Sequence, residues 1–123
     1  MALDVMIVDD STAIRKILQR VLLQAEIGVG KIHEANDGKE ALERMATESI
    51  GLILSDINMP NMDGLEFLKT VKAHPLWKSI PFLMVTTEGS QEKVIQALQL
   101  GANGYVKKPF TPQQIKDKLA TAI

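Results

Sequence analysis

Val5-Met6-Ile7-Val8-Asp9-Asp10 decides the fold: four apolar residues in a row, then two acids. A strand that is apolar at every position has both faces covered, as a parallel strand between two layers of helix must. The pattern returns twice more. Leu52-Ile53-Leu54-Ser55 runs into Asp56, and Phe82-Leu83-Met84-Val85 runs into Thr86-Thr87. A shorter run, Gly104-Tyr105-Val106, stops at Lys107-Lys108-Pro109. Parallel strands end at a common edge of their sheet, the edge where such folds bind ligands. Three carboxylates, a hydroxyl and an ammonium are therefore expected at one spot, a set suited to a hard cation beside a phosphoryl group.

The segments between the runs have helical spacing. Ile14, Ile17, Leu18, Val21, Leu22 and Ala25 form a stripe behind a cap at Ser11 or Thr12, and Gly28-Val29-Gly30 ends that helix. Lys31-Ile32-His33-Glu34-Ala35 alternates and is more polar, as suits an edge strand. Asp37-Gly38-Lys39-Glu40 and Asp63-Gly64-Leu65-Glu66 share one layout, a capping acid with Glu three residues on. The first opens a helix carrying Ala41, Leu42 and Met45, the second one carrying Leu65, Leu68 and Val71. Val94, Ala97 and Leu98 mark a fourth helix that stops at Gly101. Thr111-Pro112-Gln113-Gln114 opens a fifth, with Ile115, Leu119 and Ala122 as its buried stripe. The prediction is (βα)₅, one domain over residues 1–123 with helices on both sheet faces and no appended output domain.

Bulk properties remove several function classes. The chain has 123 residues, with 14 basic and 15 acidic, so no basic footprint points to nucleic acid. Without cysteine there is no disulfide framework, thiolate metal site or cysteine nucleophile. No apolar stretch approaches the roughly 20 residues that cross a bilayer, and the start lacks a cationic leader. A soluble, cytoplasmic domain without membrane insertion is expected. A glycine-rich phosphate loop is also missing, which argues against a nucleotide. His33 and His74 read as isolated surface histidines, and Trp77, between Pro75 and Pro81, as packing at the amino-terminal edge of the sheet. Lys107 reads as solvated, whereas Lys108 can fold over the acids. Strand alternation lets only one of Thr86 and Thr87 face them.

With Asp9-Asp10, Asp56, Thr86 and Lys108-Pro109-Phe110 so placed, the chain resembles the receiver domain of two-component response regulators over essentially its whole length. Met59-Pro60-Asn61-Met62-Asp63-Gly64 and Gly101-Ala102-Asn103-Gly104-Tyr105 look like the stand-alone chemotaxis members in particular. The resemblance implies a flavodoxin-like sheet of order 2-1-3-4-5. It implies that Asp56 accepts a phosphoryl group from a sensor histidine kinase, with Mg²⁺ held by Asp10, Asp56 and the backbone carbonyl of Asn58, and by Asp9 largely through water. Thr86 and Lys108 would bind the phosphoryl oxygens, Thr86 and Tyr105 would act as the switch, and Asn58 and Glu88 would tune phosphate lifetime. A face carrying Val94, Ile95, Tyr105 and Lys118 would bind a downstream protein, with the flagellar motor switch as the candidate. The Lys108–Pro109 bond would be cis.

Such a protein catalyses only its own phosphorylation and dephosphorylation. Two departures stand out: Ile57 where the chemotaxis relative has tryptophan, and Thr87 where it has a smaller residue. One alternative is a phosphorelay intermediate that hands its phosphate to a histidine phosphotransfer domain. Another is an aspartyl-phosphate phosphatase of the haloacid dehalogenase kind. Asp9-Asp10 lacks the Asp-x-Asp spacing of those enzymes, and no residues remain for a cap.

Overall fold

A computed structural model of the chain describes residues 3–25, 27–87, 91–108 and 110–122. Strands and helices alternate: β1 (Leu3–Val8), α1 (Thr12–Gln24), β2 (Val29–Ala35), α2 (Gly38–Met45), β3 (Leu52–Ser55), α3 (Gly64–Ala73), β4 (Phe82–Thr86), α4 (Gln91–Gln99), β5 (Gly104–Lys107) and α5 (Pro112–Ala122). The strands form one parallel sheet in the order β2-β1-β3-β4-β5, the flavodoxin-like arrangement expected. β2, the polar strand, lies at one edge and β5 at the other.

Successive side chains of a strand point to opposite faces, and each face here has its own core. Met6, Val8, Ile53, Phe82 and Met84 join Ala41, Met45, Phe67, Leu68, Val71 and Ala97 from α2, α3 and α4. Val5, Ile7, Leu52, Leu54, Leu83 and Val85 join Leu18, Val21, Leu22, Ile115 and Leu119 from α1 and α5. This is why the strands are apolar throughout. Phe67 and Phe82 meet across the first core at 5.4 Å between ring centroids.

Side chains start the helices where the sequence placed them. The Ser11 hydroxyl accepts from Ile14 N–H, Asp37 from Glu40 N–H, and Asp63 from Glu66 N–H. At α5 the bond is reciprocal: Thr111 Oγ1 accepts from Gln114 N–H, and Gln114 Oε1 accepts from Thr111 N–H. Each such cap contributes about 1 kcal/mol.

Several expectations need correction. Ile17 and Leu98 fit helical stripes but are exposed, because the sheet covers a narrower arc of α1 and α4 than their apolar spacing implied. Arg15 and Phe67, absent from those stripes, are buried. Neither histidine is isolated. The His74 ring stacks on Trp77 with centroids 3.8 Å apart, and its Nδ1 accepts from Leu76 N–H. His33 is largely buried, with Nε2 4.0 Å from Glu48 Oε2.

Candidate functional site

The sheet's hydrogen bonds continue one residue past the strand ends. Asp9 N–H donates to Ala35 O at 3.1 Å, Asp56 N–H to Val8 O at 2.9 Å, and Lys108 N–H to Thr86 O at 2.8 Å. The residues that follow β1, β3 and β5 are thereby aligned along a single edge. Asp9, Asp10 and Asp56 each offer a carboxylate oxygen there, and these oxygens lie within 4.8 Å of one another. Lys108, 99 residues downstream of Asp9, reaches back across them. Its Nζ stands 2.7 Å from Asp9 Oδ2 and 3.4 Å from Asp56 Oδ2.

The carboxylates have different surroundings. Asp9 is buried, with Oδ1 accepting from Ser11 N–H at 2.9 Å and Oδ2 taking Lys108. Asp56 is buried, with Oδ1 accepting from Ile57 N–H at 2.7 Å. Asp10 is exposed. Burial pushes the Asp56 carboxyl above its ordinary value, and the Asp9 charge adds to that; Lys108, the Ile57 N–H and the Thr86 hydroxyl work in the other direction. Three acids against one ammonium leave an all-oxygen cluster short of positive charge and open to solvent at Asp10. That donor set fits a hard divalent cation.

Thr86 is buried at the end of β4 and Thr87 is exposed, so strand alternation does select one hydroxyl for the site. Lys107 is exposed, as expected. Asn58 sits on the exposed rim, where its Oδ1 accepts from Lys93 Nζ at 3.3 Å. Tyr105 and Ile95 lie farther out on β5 and α4, exposed, with the Lys118 ammonium 5.9 Å from the Tyr105 ring centroid. Val94 is half-buried beside them. Glu88 and the Lys108–Pro109 bond lie outside the described residues.

The β3–α3 loop supports the site in ways the sequence only hinted at. Gly64 N–H donates to Ile57 O at 2.7 Å. A Cβ on Gly64 would stand 2.0 Å from the Asp56 carbonyl oxygen, so nothing larger than glycine fits this approach. Asn61 holds a positive φ of 65° and donates from Nδ2 to Asp37 Oδ2 at 2.7 Å, tying the loop to the start of α2. Arg15 was not singled out from the sequence. An arginine among α1's apolar positions was the available signal, and its Nη1 donates to the Asp9 carbonyl at 2.6 Å.

A doubly wound parallel sheet with three acids, a threonine and a lysine at its carboxyl edge defines a regulatory receiver module. Residues 5–120 match the response regulator receiver domain, and the chain belongs to that family. It is 41% identical over 119 residues to the chemotaxis protein CheY1 of Helicobacter pylori, covering 96% of this chain and 94% of that protein. The chemotaxis response regulator CheY4 of Vibrio cholerae superposes with a TM-score of 0.88 at 37% identity, over 100% of both chains. CheY from Borrelia burgdorferi, solved as a CheX-CheY-BeF₃-Mg²⁺ complex, gives a TM-score of 0.87 at 27% identity, over 97% of this chain and 87% of that one. The protein is a CheY-like response regulator receiver, homologous to chemotaxis regulators.

Proposed function

We propose that Asp56 is the phosphoacceptor of a Mg²⁺-dependent switch, fed by a sensor histidine kinase and read by a partner protein. The observation that carries this reading is the Lys108 ammonium placed between Asp9 and Asp56 at the rim of the three-carboxylate cluster. In the transfer, an Asp56 carboxylate oxygen attacks phosphorus in line as the bond from phosphorus to the donor histidine's ring nitrogen breaks. Bound at Asp9, Asp10, Asp56 and the Asn58 carbonyl, Mg²⁺ would neutralise charge on the phosphoryl oxygens. Lys108 meets Asp9 and Asp56 with two of its three N–H donors, which leaves one for a phosphoryl oxygen. The Thr86 hydroxyl, already bonded to the Asp56 carboxylate, would turn to the phosphoryl group that replaces it. The same donors stabilise attack by water on the acyl phosphate, so the protein resets itself.

Phosphorylation replaces a single negative charge with a group of roughly −1.5 to −2 and strong acceptor oxygens. Drawing Thr86 toward that group empties space beside β5 for Tyr105, which is 40% exposed here. The face carrying Val94, Ile95, Tyr105 and Lys118 would then change shape and offer a partner its exposed apolar surface. A related CheY was solved with CheX, which supports a protein partner for this chain. The flagellar motor switch is our candidate target, and a kinase donor places the protein in the cytoplasm. Among the described residues no helix is long and apolar enough to cross a membrane.

The test is intact-mass measurement after incubation with Mg²⁺ and acetyl phosphate. One phosphoryl group should appear on wild type, and none on Asp56→Asn or in chelator. Labelling of Asp56→Asn at the wild-type level would overturn the assignment.

A further inference from the structure

We propose that Arg15 is the positioning residue for Asp10 and through it sets the affinity of the site for divalent cations. This rests on reading the acidic cluster as a cation site. Arg15 projects from α1 and is only 8% exposed, an uncommon place for a charge. Its guanidinium meets four acceptors. Nη1 donates to the Asp9 carbonyl at 2.6 Å and to Asn36 Oδ1 at 3.0 Å, Nε to Glu34 Oε1 at 3.0 Å, and Nη2 to Thr12 Oγ1 at 3.1 Å. Those acceptors belong to the end of β1, the end of β2 and the first turn of α1.

The Asp9 carbonyl is the oxygen of the peptide that joins Asp9 to Asp10. A peptide is planar, so fixing its oxygen fixes the plane from which the next Cα departs. This matters because the acids are held differently. Lys108 and Ser11 N–H hold the Asp9 carboxylate, and Ile57 N–H and Lys108 hold that of Asp56. Among the described residues, no hydrogen bond or ion pair holds the Asp10 carboxylate. Its placement therefore depends on its backbone, and Arg15 anchors that backbone to β2.

The chemistry needs arginine. A planar fork of N–H donors can span acceptors on separate elements, whereas a lysine ammonium is one point on a flexible stem. A free guanidinium this close would also repel a cation. Glu34, which accepts from both Arg15 and Lys16, offsets part of that charge.

The experiment is a Mg²⁺ titration at a temperature where every variant is folded, using wild type, Arg15→Lys, Asp10→Asn and the double variant. Arg15→Lys should weaken binding about tenfold, the loss typical when a group supporting a metal ligand is removed. The double variant should bind no more weakly than Asp10→Asn alone, because the two changes remove the same placement. Additive losses would overturn the proposal, as would wild-type binding by Arg15→Lys while Asp10→Asn is impaired; both results leave the cation site standing. Wild-type binding by Asp10→Asn would instead overturn the cation site and the role of Arg15 with it. If Arg15→Lys does not fold, Asn36→Ala takes its place in the cycle, since its exposed side chain accepts one of the bonds. It should weaken binding by a smaller factor, again without adding to Asp10→Asn. No change, or an additive loss, would overturn the proposal.

Discussion

Lys108 Nζ lies 2.7 Å from Asp9 Oδ2, a contact between residues 99 apart in the chain. Asp9 is buried and only 9% of the Lys108 side chain is exposed, so the fold depends on the same charge that the site would use. Removing one member of a buried pair strands the other without a counter-charge, at a cost of about 3 kcal/mol. Lys108→Met should lose about that much stability in chelator, as measured by urea denaturation. Mg²⁺ should stabilise the variant more than wild type, because it replaces part of the missing charge. Equal stability of the two proteins in chelator would mean that the pair contributes nothing.

The Asp56 carboxyl should give the metal-free protein a particular pH dependence. Burial raises its folded-state value above the ordinary 3.8, so the folded chain holds the Asp56 proton more tightly than the unfolded chain does. Ionised Asp56 therefore destabilises the fold, fully at neutral pH and less as pH falls through the folded-state value toward 3.8. Asp56→Asn lacks this cost. In chelator it should melt several degrees above wild type at neutral pH, and the margin should shrink as the pH approaches about 4. Melting curves across that range test it; a margin that widens on acidification would reverse the assigned sign.

Gly64 should be irreplaceable for a steric reason. An alanine Cβ would come within 2.0 Å of the Asp56 carbonyl oxygen and 2.8 Å of Ile57 Cα, both backbone atoms that cannot turn aside. Gly64→Ala should cost about 3 kcal/mol, at the upper end of ordinary overpacking, and should slow labelling of Asp56 by acetyl phosphate. Gly104→Ala is the control, because its Cβ would meet Leu83 Cδ1 at an ordinary 3.4 Å. Equal tolerance of both substitutions would show that the β3–α3 loop moves aside without penalty.

Trp77 should report on the far end of the sheet and not on the site. It follows α3, stacks on His74 and packs under the first core before β4 begins. The length of β4, at about 3.3 Å per residue, separates it from the carboxyl edge. Mg²⁺ or beryllofluoride should leave its emission nearly unchanged, whereas His74→Ala should shift it by removing the stacked ring. Strong quenching by Mg²⁺ would contradict this separation.

The features that were legible in the sequence are those governed by local chemistry. Strands buried on both faces must be apolar throughout, so Val5–Val8, Leu52–Leu54 and Phe82–Val85 declared themselves. Orphan N–H groups at helix starts need acceptors, so Ser11, Asp37, Asp63 and Thr111 could be picked out within a residue. Parallel strands share an edge, so the sequence alone groups Asp9, Asp10, Asp56, Thr86 and Lys108 there. The misplaced residues were those decided by neighbours from elsewhere in the chain. Ile17 and Leu98 carry the right spacing, but each is left 44% exposed.

By itself, then, the sequence determined the alternation of strands and helices, the strand order through resemblance to the receiver family, and the grouping of Asp9, Asp10, Asp56 and Lys108 at one sheet edge. Only the tertiary structure decided how the members divide their tasks. It buries Asp9 under Lys108 and leaves Asp10 exposed, though the two are adjacent and chemically identical. It makes Arg15 a clamp on the peptide between them, and it makes Gly64 a contact against Asp56. Burial, and the partner each charged atom meets, depend on elements brought together from distant parts of the chain, and no local pattern carries that information.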